Sequence, residues 1–189
     1  MAVRPTPRLM TADELLRLPK DTPYGDRFYE LDAGRLVVRE PAGGPHGQVQ
    51  AKLIYLLTGH VLRHRLGVVC GEVGLWLARD PDTVKGPDVK FFRAERVPGG
   101  RMPEGYSAFP ADLAVEVRSP NDRKGKEAAR VAALLGGGVR LVWHVEPRRR
   151  RATIHAPGAE PEPVGEDGYL DGRDVVPGFR CRLREALDW

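Results

Sequence analysis

Residues 112–118 read Asp-Leu-Ala-Val-Glu-Val-Arg, and this stretch decides the fold class. Apolar positions alternate with Ala114, Glu116 and Arg118, which predicts a core β-strand carrying a carboxylate and a guanidinium two residues apart on one face. A charged group inside an apolar strand costs free energy unless it is paired, bound to a metal ion or exposed to water. Glu116 is therefore a candidate functional residue, although it could also simply pair with Arg118 or a neighbouring arginine, or lie on a wet face.

A second candidate strand lies upstream at residues 87–92, which read Pro-Asp-Val-Lys-Phe-Phe. Strand alternation puts Asp88, Lys90 and Phe92 on one face. Metal-assisted phosphodiester cleavage needs hard oxygen ligands for a divalent cation such as Mg²⁺, and usually a basic group beside them to stabilise charge on the phosphate. The two predicted strands together offer those groups.

The helix predicted after these strands adds a basic edge. Arg123, Lys126 and Arg130 fall at i, i+3 and i+7 on one side, while apolar residues form a packing stripe on the other. The edge could contact phosphate groups, or it could be the solvated face of an amphipathic helix. The arginine run at 148–151 has the same two interpretations, and a solvated turn is the favoured one.

Near the amino terminus, local signals predict a short helix followed by a hairpin. Thr11 and Glu14 have the spacing of a capping box, and the stretch 32–34, Asp-Ala-Gly, is turn chemistry between two short apolar runs. Glu30 would lie on the first strand of that hairpin. A long helix follows, with His46 near its start as a candidate proton carrier or phosphate contact.

The order of elements is that of an α/β fold, and we expect one domain over residues 1–189 with a core at about 10–156. Residues 157–189 are rich in Pro, Gly and acidic side chains and predict an irregular tail, with a short strand near 175–179. The predicted elements are helix 11–18, hairpin 28–39, helix 47–65, strands 68–78, 87–92 and 113–117, a surface connection at 93–110, a helix capped at 119–122 that ends near 135, and strands 139–145 and 151–155.

Composition narrows the class of protein. Of the 189 residues 41% are hydrophobic and 30% charged, and no apolar run reaches the roughly 20 residues that span a bilayer. We therefore expect no membrane span and a cytoplasmic location. Cys70 and Cys181 are too isolated for a zinc knuckle or a disulfide framework, and no nucleophile elbow is present. The net charge of +4 is compatible with a polyanionic partner but does not require one.

Five motifs, taken in their order, resemble the Uma family of bacterial restriction-endonuclease-like proteins, within the PD-(D/E)XK nuclease superfamily. The resemblance runs from about residue 10 to 156. The motifs are Tyr29-Glu30-Leu31-Asp32-Ala33-Gly34-Arg35-Leu36, Pro45-His46, Gly86-Pro87-Asp88-Val89, Asp112-Leu113-Ala114-Val115-Glu116-Val117-Arg118-Ser119-Pro120, and Gly138-Val139 with Val142-Trp143-His144-Val145-Glu146-Pro147.

The resemblance implies a mixed β-sheet core flanked by α-helices, with acidic residues around a Mg²⁺ or Mn²⁺ ion. It assigns Asp88 and Glu116 as catalytic metal ligands. Glu30 is the acid contributed earlier in the chain, which would support the metal ion directly or through a water, and His46 is the histidine that opens the long helix. The backbone carbonyl of Val117 is a further implied ligand. The resemblance also suggests DNA as the partner and a homodimer as the assembly.

One position departs from the superfamily pattern. Its lysine after the second acid is Arg118 here, and the family's lysine on the following helix aligns with Arg130. Arginine keeps its proton and cannot act as a general base, although it can clamp a phosphate, and Lys126 could substitute for it. Two hypotheses follow: a divalent-metal-dependent nuclease that hydrolyses DNA, or a catalytically inactive nucleic-acid-binding or interaction module with the same fold.

Overall fold

The computed structural model describes residues 8–19, 28–39, 43–119 and 124–188. The helices are α1 (Ala12–Leu16), α2 (Gly44–His64), α3 (Lys124–Gly136) and α4 (Leu183–Leu187). The strands are β1 (Phe28–Asp32), β2 (Arg35–Arg39), β3 (Gly67–Cys70), β4 (Leu75–Ala78), β5 (Thr83–Lys85), β6 (Val89–Arg93), β7 (Leu113–Val117), β8 (Leu141–Glu146), β9 (Arg151–His155), β10 (Glu162–Gly165), β11 (Tyr169–Asp171) and β12 (Arg180–Arg182).

A six-stranded mixed sheet in the order β10-β9-β8-β7-β6-β3 forms the centre. Its strand β7, with the bounds that the sequence predicts, is antiparallel to β6 and parallel to β8. Both faces of β7 are covered. Val115 and Val117 join the apolar cluster that contains α2, whereas Ala114 joins the cluster that contains α3. The predicted α/β class, with a mixed sheet flanked by helices, is confirmed.

A smaller sheet in the order β2-β1-β5-β4 carries the amino-terminal hairpin. The hairpin turn lies at Ala33 and Gly34, whose φ angles of 47° and 75° are left-handed, as the turn chemistry predicts. The capping box of Thr11 and Glu14 is also present. This sheet and α1 share a separate apolar cluster that includes Leu31, so the hairpin has a small core of its own.

The predicted single strand at 68–78 is wrong. The first part of this run forms β3, which pairs with β6 in the central sheet. The chain then turns at Glu72, where φ is 54°, and continues as β4 in the smaller sheet. The apolar run therefore serves two sheets, because a positive-φ residue redirects it in the middle. The connection at 93–110 is also less superficial than predicted, since Val97 and Ser107 are buried and Ser107 forms a bridge with Leu75.

The prediction of an irregular tail is also wrong. Residues 157–188 contain β10, a two-stranded sheet of β11 and β12, and the short α4, whereas 175–179 is not a strand. Val176 and Phe179 belong to the same apolar cluster as α2, and the ring of Phe179 stacks on Trp143 with centroids 5.7 Å apart. High Pro and Gly content here reflects tight turns between buried residues rather than a lack of order.

The helices differ slightly from prediction at their starts. Helix α2 begins at Gly44, so that His46 lies in its first turn, and ends at His64. The cap predicted at 119–122 lies largely outside the described residues, and α3 is described from Lys124 to Gly136. None of the described helices is long and apolar enough to cross a membrane.

We expect Phe179→Ala to lower the free energy of unfolding by about 3 kcal/mol, the usual cost of deleting a buried aromatic side chain. Phe179 is buried against Trp143 although it lies in the segment that the sequence predicted to be irregular. Urea unfolding followed by tryptophan fluorescence measures the change.

Tyr55→Ala is the matched control, because Tyr55 is 73% exposed on α2 and its removal should change stability by less than about 0.5 kcal/mol. Equal stability of Phe179→Ala and the wild type would mean that the tail does not contribute to the core.

Candidate active site

An arginine bridges two acidic residues where the two sheets and α3 meet. Nη1 of Arg130 donates to Oε2 of Glu30 at 2.6 Å, and Nη2 donates to the carbonyl of Gly86 at 2.8 Å. Nε of Arg130 lies 2.7 Å from Oε2 of Glu116, as an ion pair rather than an aligned hydrogen bond. The predicted residues on the hairpin, on β7 and on α3 are thus brought together by one guanidinium.

Asp88 lies beside this cluster, immediately before β6. The antiparallel register that pairs Val89 with Val115 puts Asp88 alongside Glu116. Its Oδ2 accepts the amide of Val117 at 2.6 Å and lies 3.2 Å from Nε2 of His46. The first turn of α2 and the end of β7 therefore fix the orientation of the Asp88 carboxylate.

The pKa values of the two glutamates shift in opposite directions, because burial outweighs Arg130 at Glu116 and Arg130 outweighs burial at Glu30. Burial raises the pKa of Glu116 to about 7; Arg130 opposes this shift, and the neighbouring Asp88 and Glu30 add to it. Burial also acts to raise the pKa of Glu30, but the charge and hydrogen bond of Arg130 outweigh it and lower the pKa. One glutamate is therefore held ionised, while the other has a pKa near neutrality.

Lys90 is a further residue of the site that is not among the candidates predicted from the sequence. Its side chain is completely buried, and Nζ donates to the carbonyl of Pro87, the residue before Asp88. Burial lowers its pKa, and nearby groups that include Glu116 and Asp88 oppose that shift. The alternation of residues 87–92 already put Lys90 on the Asp88 face, and this was the available signal.

The three predicted basic candidates have different surroundings. Arg130 is 12% exposed and committed to the two glutamates. Arg118 forms ion pairs with Glu127 at 2.6 Å and Glu146 at 2.7 Å. Lys126 is exposed at the edge of a cavity of about 720 Å³, which Glu30, Glu116, Arg118 and Arg130 also line. Lys126 is thus the best placed of the three to meet a ligand entering that cavity.

Comparison with known proteins assigns the chain to a family. The model of the Uma2 family, described as "Putative restriction endonuclease", matches residues 12–184. The chain belongs to the Uma2 family. The match extends through the segment 157–184, which the predicted resemblance had left outside, so the tail is part of what the chain shares with its relatives.

A solved structure supports the fold of this Uma2 protein. It is described as "a putative nuclease belonging to DUF820" from Anabaena variabilis and has a TM-score of 0.81 at 19% identity. The alignment covers 94% of this chain and 97% of that one. The predicted restriction-endonuclease-like fold is therefore confirmed. None of the curated proteins compared with the chain matches it.

The donor atoms of this Uma2 protein fit a divalent cation at two carboxylates. Oε1 of Glu116 is buried without a hydrogen-bond partner among the described residues. Asp88 lies beside it, and Val117, whose carbonyl is another predicted ligand, donates its amide to Asp88. Mg²⁺ is commonly held by one or two protein carboxylates and several waters.

Glu30 has a different position in this arrangement. Its two oxygens already accept hydrogen bonds, one from the amide of Gly86 at 2.9 Å and one from Arg130. In agreement with this, no group of three or more His, Cys, Asp or Glu side chains in the described ranges could hold a metal ion, so a cation here would rely on two carboxylates and water. Glu30 therefore contacts the site through Arg130.

Glu116→Gln should gain stability relative to the wild type as pH rises from 5 to 8 in EDTA. The folded-state pKa of Glu116 is raised to about 7, so the folded wild type binds the proton more tightly than the unfolded chain. Its stability falls as pH rises between the unfolded and folded pKa values. A neutral amide removes this penalty, which amounts to about 3 kcal/mol above pH 7.

Urea unfolding of both proteins at several pH values measures the difference. Glu160→Gln, at an exposed position, is the control and should follow the wild type. A stability difference between Glu116→Gln and the wild type that does not change with pH would refute the raised pKa.

Proposed function

We propose that this Uma2 protein is a divalent-metal-dependent nuclease that hydrolyses phosphodiester bonds of DNA, with Mg²⁺ or Mn²⁺ held by Asp88 and Glu116. The observation that carries the proposal is Oε1 of Glu116, which is buried without a hydrogen-bond partner among the described residues. Asp88 lies beside Glu116, and Glu116 lines a cavity of about 720 Å³. An orphaned buried carboxylate oxygen is costly, and a bound cation would remove that cost. Family membership supports a nuclease-like activity.

A cation bound there would neutralise charge on the scissile phosphate and lower the pKa of a water molecule. The protein groups then have distinct tasks. His46 and the amide of Val117 orient Asp88. Arg130 orients Glu116 and ties it to Glu30, which supports the site indirectly.

The remaining basic groups would bind the phosphate or hold the backbone next to Asp88. Lys126, at the edge of the cavity, is suited to hold a phosphate oxygen, and Arg118 lines the same cavity farther along. Lys90 donates to the carbonyl of Pro87 and so holds the backbone next to Asp88 in place. Neither Arg118 nor Arg130 can accept a proton at neutral pH, so their part is electrostatic.

A second candidate function is a catalytically inactive nucleic-acid-binding or interaction module. The ion pair of Arg130 with Glu116 favours it, because this guanidinium already supplies the counter-charge that a metal ion would bring. Arg118 at the superfamily's lysine position favours it as well. Homodimeric assembly belongs to the nuclease proposal and rests on likeness to restriction-endonuclease-like proteins. A cytoplasmic location is a separate expectation, which rests on the composition of the sequence.

Asp88→Asn and Glu116→Gln should each lower plasmid cleavage about a hundredfold or more, since each removes a ligand of a cation that contributes several kcal/mol to transition-state stabilisation. Supercoiled plasmid is incubated with each purified protein in Mg²⁺, Mn²⁺ or EDTA. Cleavage by the wild type should require the metal.

Glu160→Gln, purified identically, is the control for contaminating nuclease and should cleave like the wild type. Cleavage that survives both site substitutions would come from a contaminant and would contradict the proposal. Absence of cleavage by the wild type, together with retained DNA binding, would select the inactive module.

Lys126→Ala should lower the cleavage rate about tenfold or more, because a charge-assisted hydrogen bond to phosphate contributes about 1.5–3 kcal/mol. Lys126→Arg keeps the charge and should retain most of the activity. Thermal melts of both variants should match the wild type, since Lys126 is exposed. Equal activity of the alanine variant and the wild type would remove Lys126 from the site.

A further inference from the structure

A second cavity, of about 520 Å³, lies beyond Arg118, between α3 and the open face of β8 and β9. One wall is apolar and comes from α3, with Val131 and Leu135 among its residues. The other wall is polar and includes Glu146, Arg149 and Arg151. A smaller cavity of about 160 Å³ adjoins it and adds Arg148. None of these arginines except Arg118 belongs to the candidate active site.

A single buried carboxylate organises the polar wall. Glu146 is 5% exposed and accepts hydrogen bonds from Arg118 at 2.7 Å, Arg149 at 3.1 Å and Arg151 at 2.5 Å. Burial acts to raise its pKa, but the hydrogen bonds from Arg151 and Arg118 and the nearby positive charges lower it, so that Glu146 stays ionised. Three side chains are thus held in fixed orientations around one anion.

Positive charges outnumber negative charges along the two cavities. Glu146 and Glu127 face Arg118, Arg149 and Arg151, and Arg148 adds a further cation at the smaller cavity. The side chains of Arg149 and Arg151 are 44% and 52% exposed, so part of each guanidinium faces water. Guanidinium groups held in this way match the geometry of phosphate oxygens.

The position of the cavities points to a linear ligand. Arg118 lines all three cavities: the 720 Å³ cavity with Glu116, the 520 Å³ cavity and the 160 Å³ cavity. A chain with one phosphate in the candidate active site would therefore meet positive charge along its next phosphates. A small anion would use only one of these cavities.

We propose that Arg118, Arg148, Arg149 and Arg151, organised by Glu146, form an arginine groove that binds the phosphate backbone of the nucleic acid next to the cleavage point. This inference rests on the proposed nucleic-acid partner and names the surface that holds it. The groove would bind nucleic acids of different base sequence equally, because contacts to phosphates carry no information about the bases. The sequence had favoured a merely solvated turn for 148–151.

The test uses fluorescence anisotropy of a fluorescein-labelled DNA duplex in EDTA, where cleavage and metal binding play no part. The variants are the double substitution Arg149→Ala/Arg151→Ala and the control Arg150→Ala. Arg150 is in the same run, but it pairs with Glu166 and Asp188 and lines none of the three cavities. Thermal melts verify that each variant is folded.

The double variant should bind DNA at least about tenfold more weakly than the wild type, with a plot of log K against log salt that is shallower by about 1–2. Arg150→Ala should stay within about twofold of the wild type. Arg149→Lys/Arg151→Lys should restore most of the salt dependence, because it restores the charge.

Binding of the double variant equal to that of the wild type, with the same salt dependence, would overturn the groove and leave the nuclease proposal standing. Equal losses in the double variant and Arg150→Ala would also overturn it, since the effect would then be general charge. Failure of the wild type to bind DNA would overturn the groove and the DNA partner together. A wild-type protein that binds DNA through the groove but does not cleave plasmid would contradict only the nuclease proposal.

Discussion

The pairing of Arg130 with Glu30 and Glu116 is the interaction on which the rest of the site depends. It joins α3, the small sheet and the central sheet at a point from which water is largely excluded. Removing one member of such a buried pair leaves an uncompensated charge and costs about 3–5 kcal/mol. The same contact that links three parts of the fold also fixes the orientation of the acid on β7. Stability and the candidate chemistry therefore cannot be changed independently here.

A strand with every residue buried ordinarily carries apolar side chains throughout, because burying a charge costs free energy. The structure instead surrounds Glu116 with two further acids, a buried lysine and an arginine. Such a costly arrangement is typical of functional sites, where burial and neighbouring charges shift pKa values. In contrast, Arg149 and Arg151 beside Glu146 are partly exposed, so that their charge meets water at little cost.

Much of the fold is predictable because its signals are local. The alternation in 113–117 fixes β7 at both ends, and the Asp-Ala-Gly turn and the capping box fix the amino-terminal elements. The division of 68–78 between two sheets depends on one backbone angle at Glu72, which no periodicity reveals. Among the site residues, the pairing of Asp88 with His46 and the separate partners of Arg118 and Arg130 arise from tertiary contacts. Sequence spacing could name these residues but not their neighbours.

Phe179 belongs to the main apolar cluster, so this core can be completed only after the carboxy-terminal segment has been synthesised. Every residue of the proposed metal site lies before position 131, whereas the cluster beneath β7 also requires residues as late as Ala186. During synthesis the acids would leave the ribosome well before the segment that completes the core under them, and domains generally fold as units. The nascent chain would thus hold all the acids of the proposed metal site while it still lacked the packing that fixes them. A protein with a nuclease site built in this way acquires its working geometry late in translation.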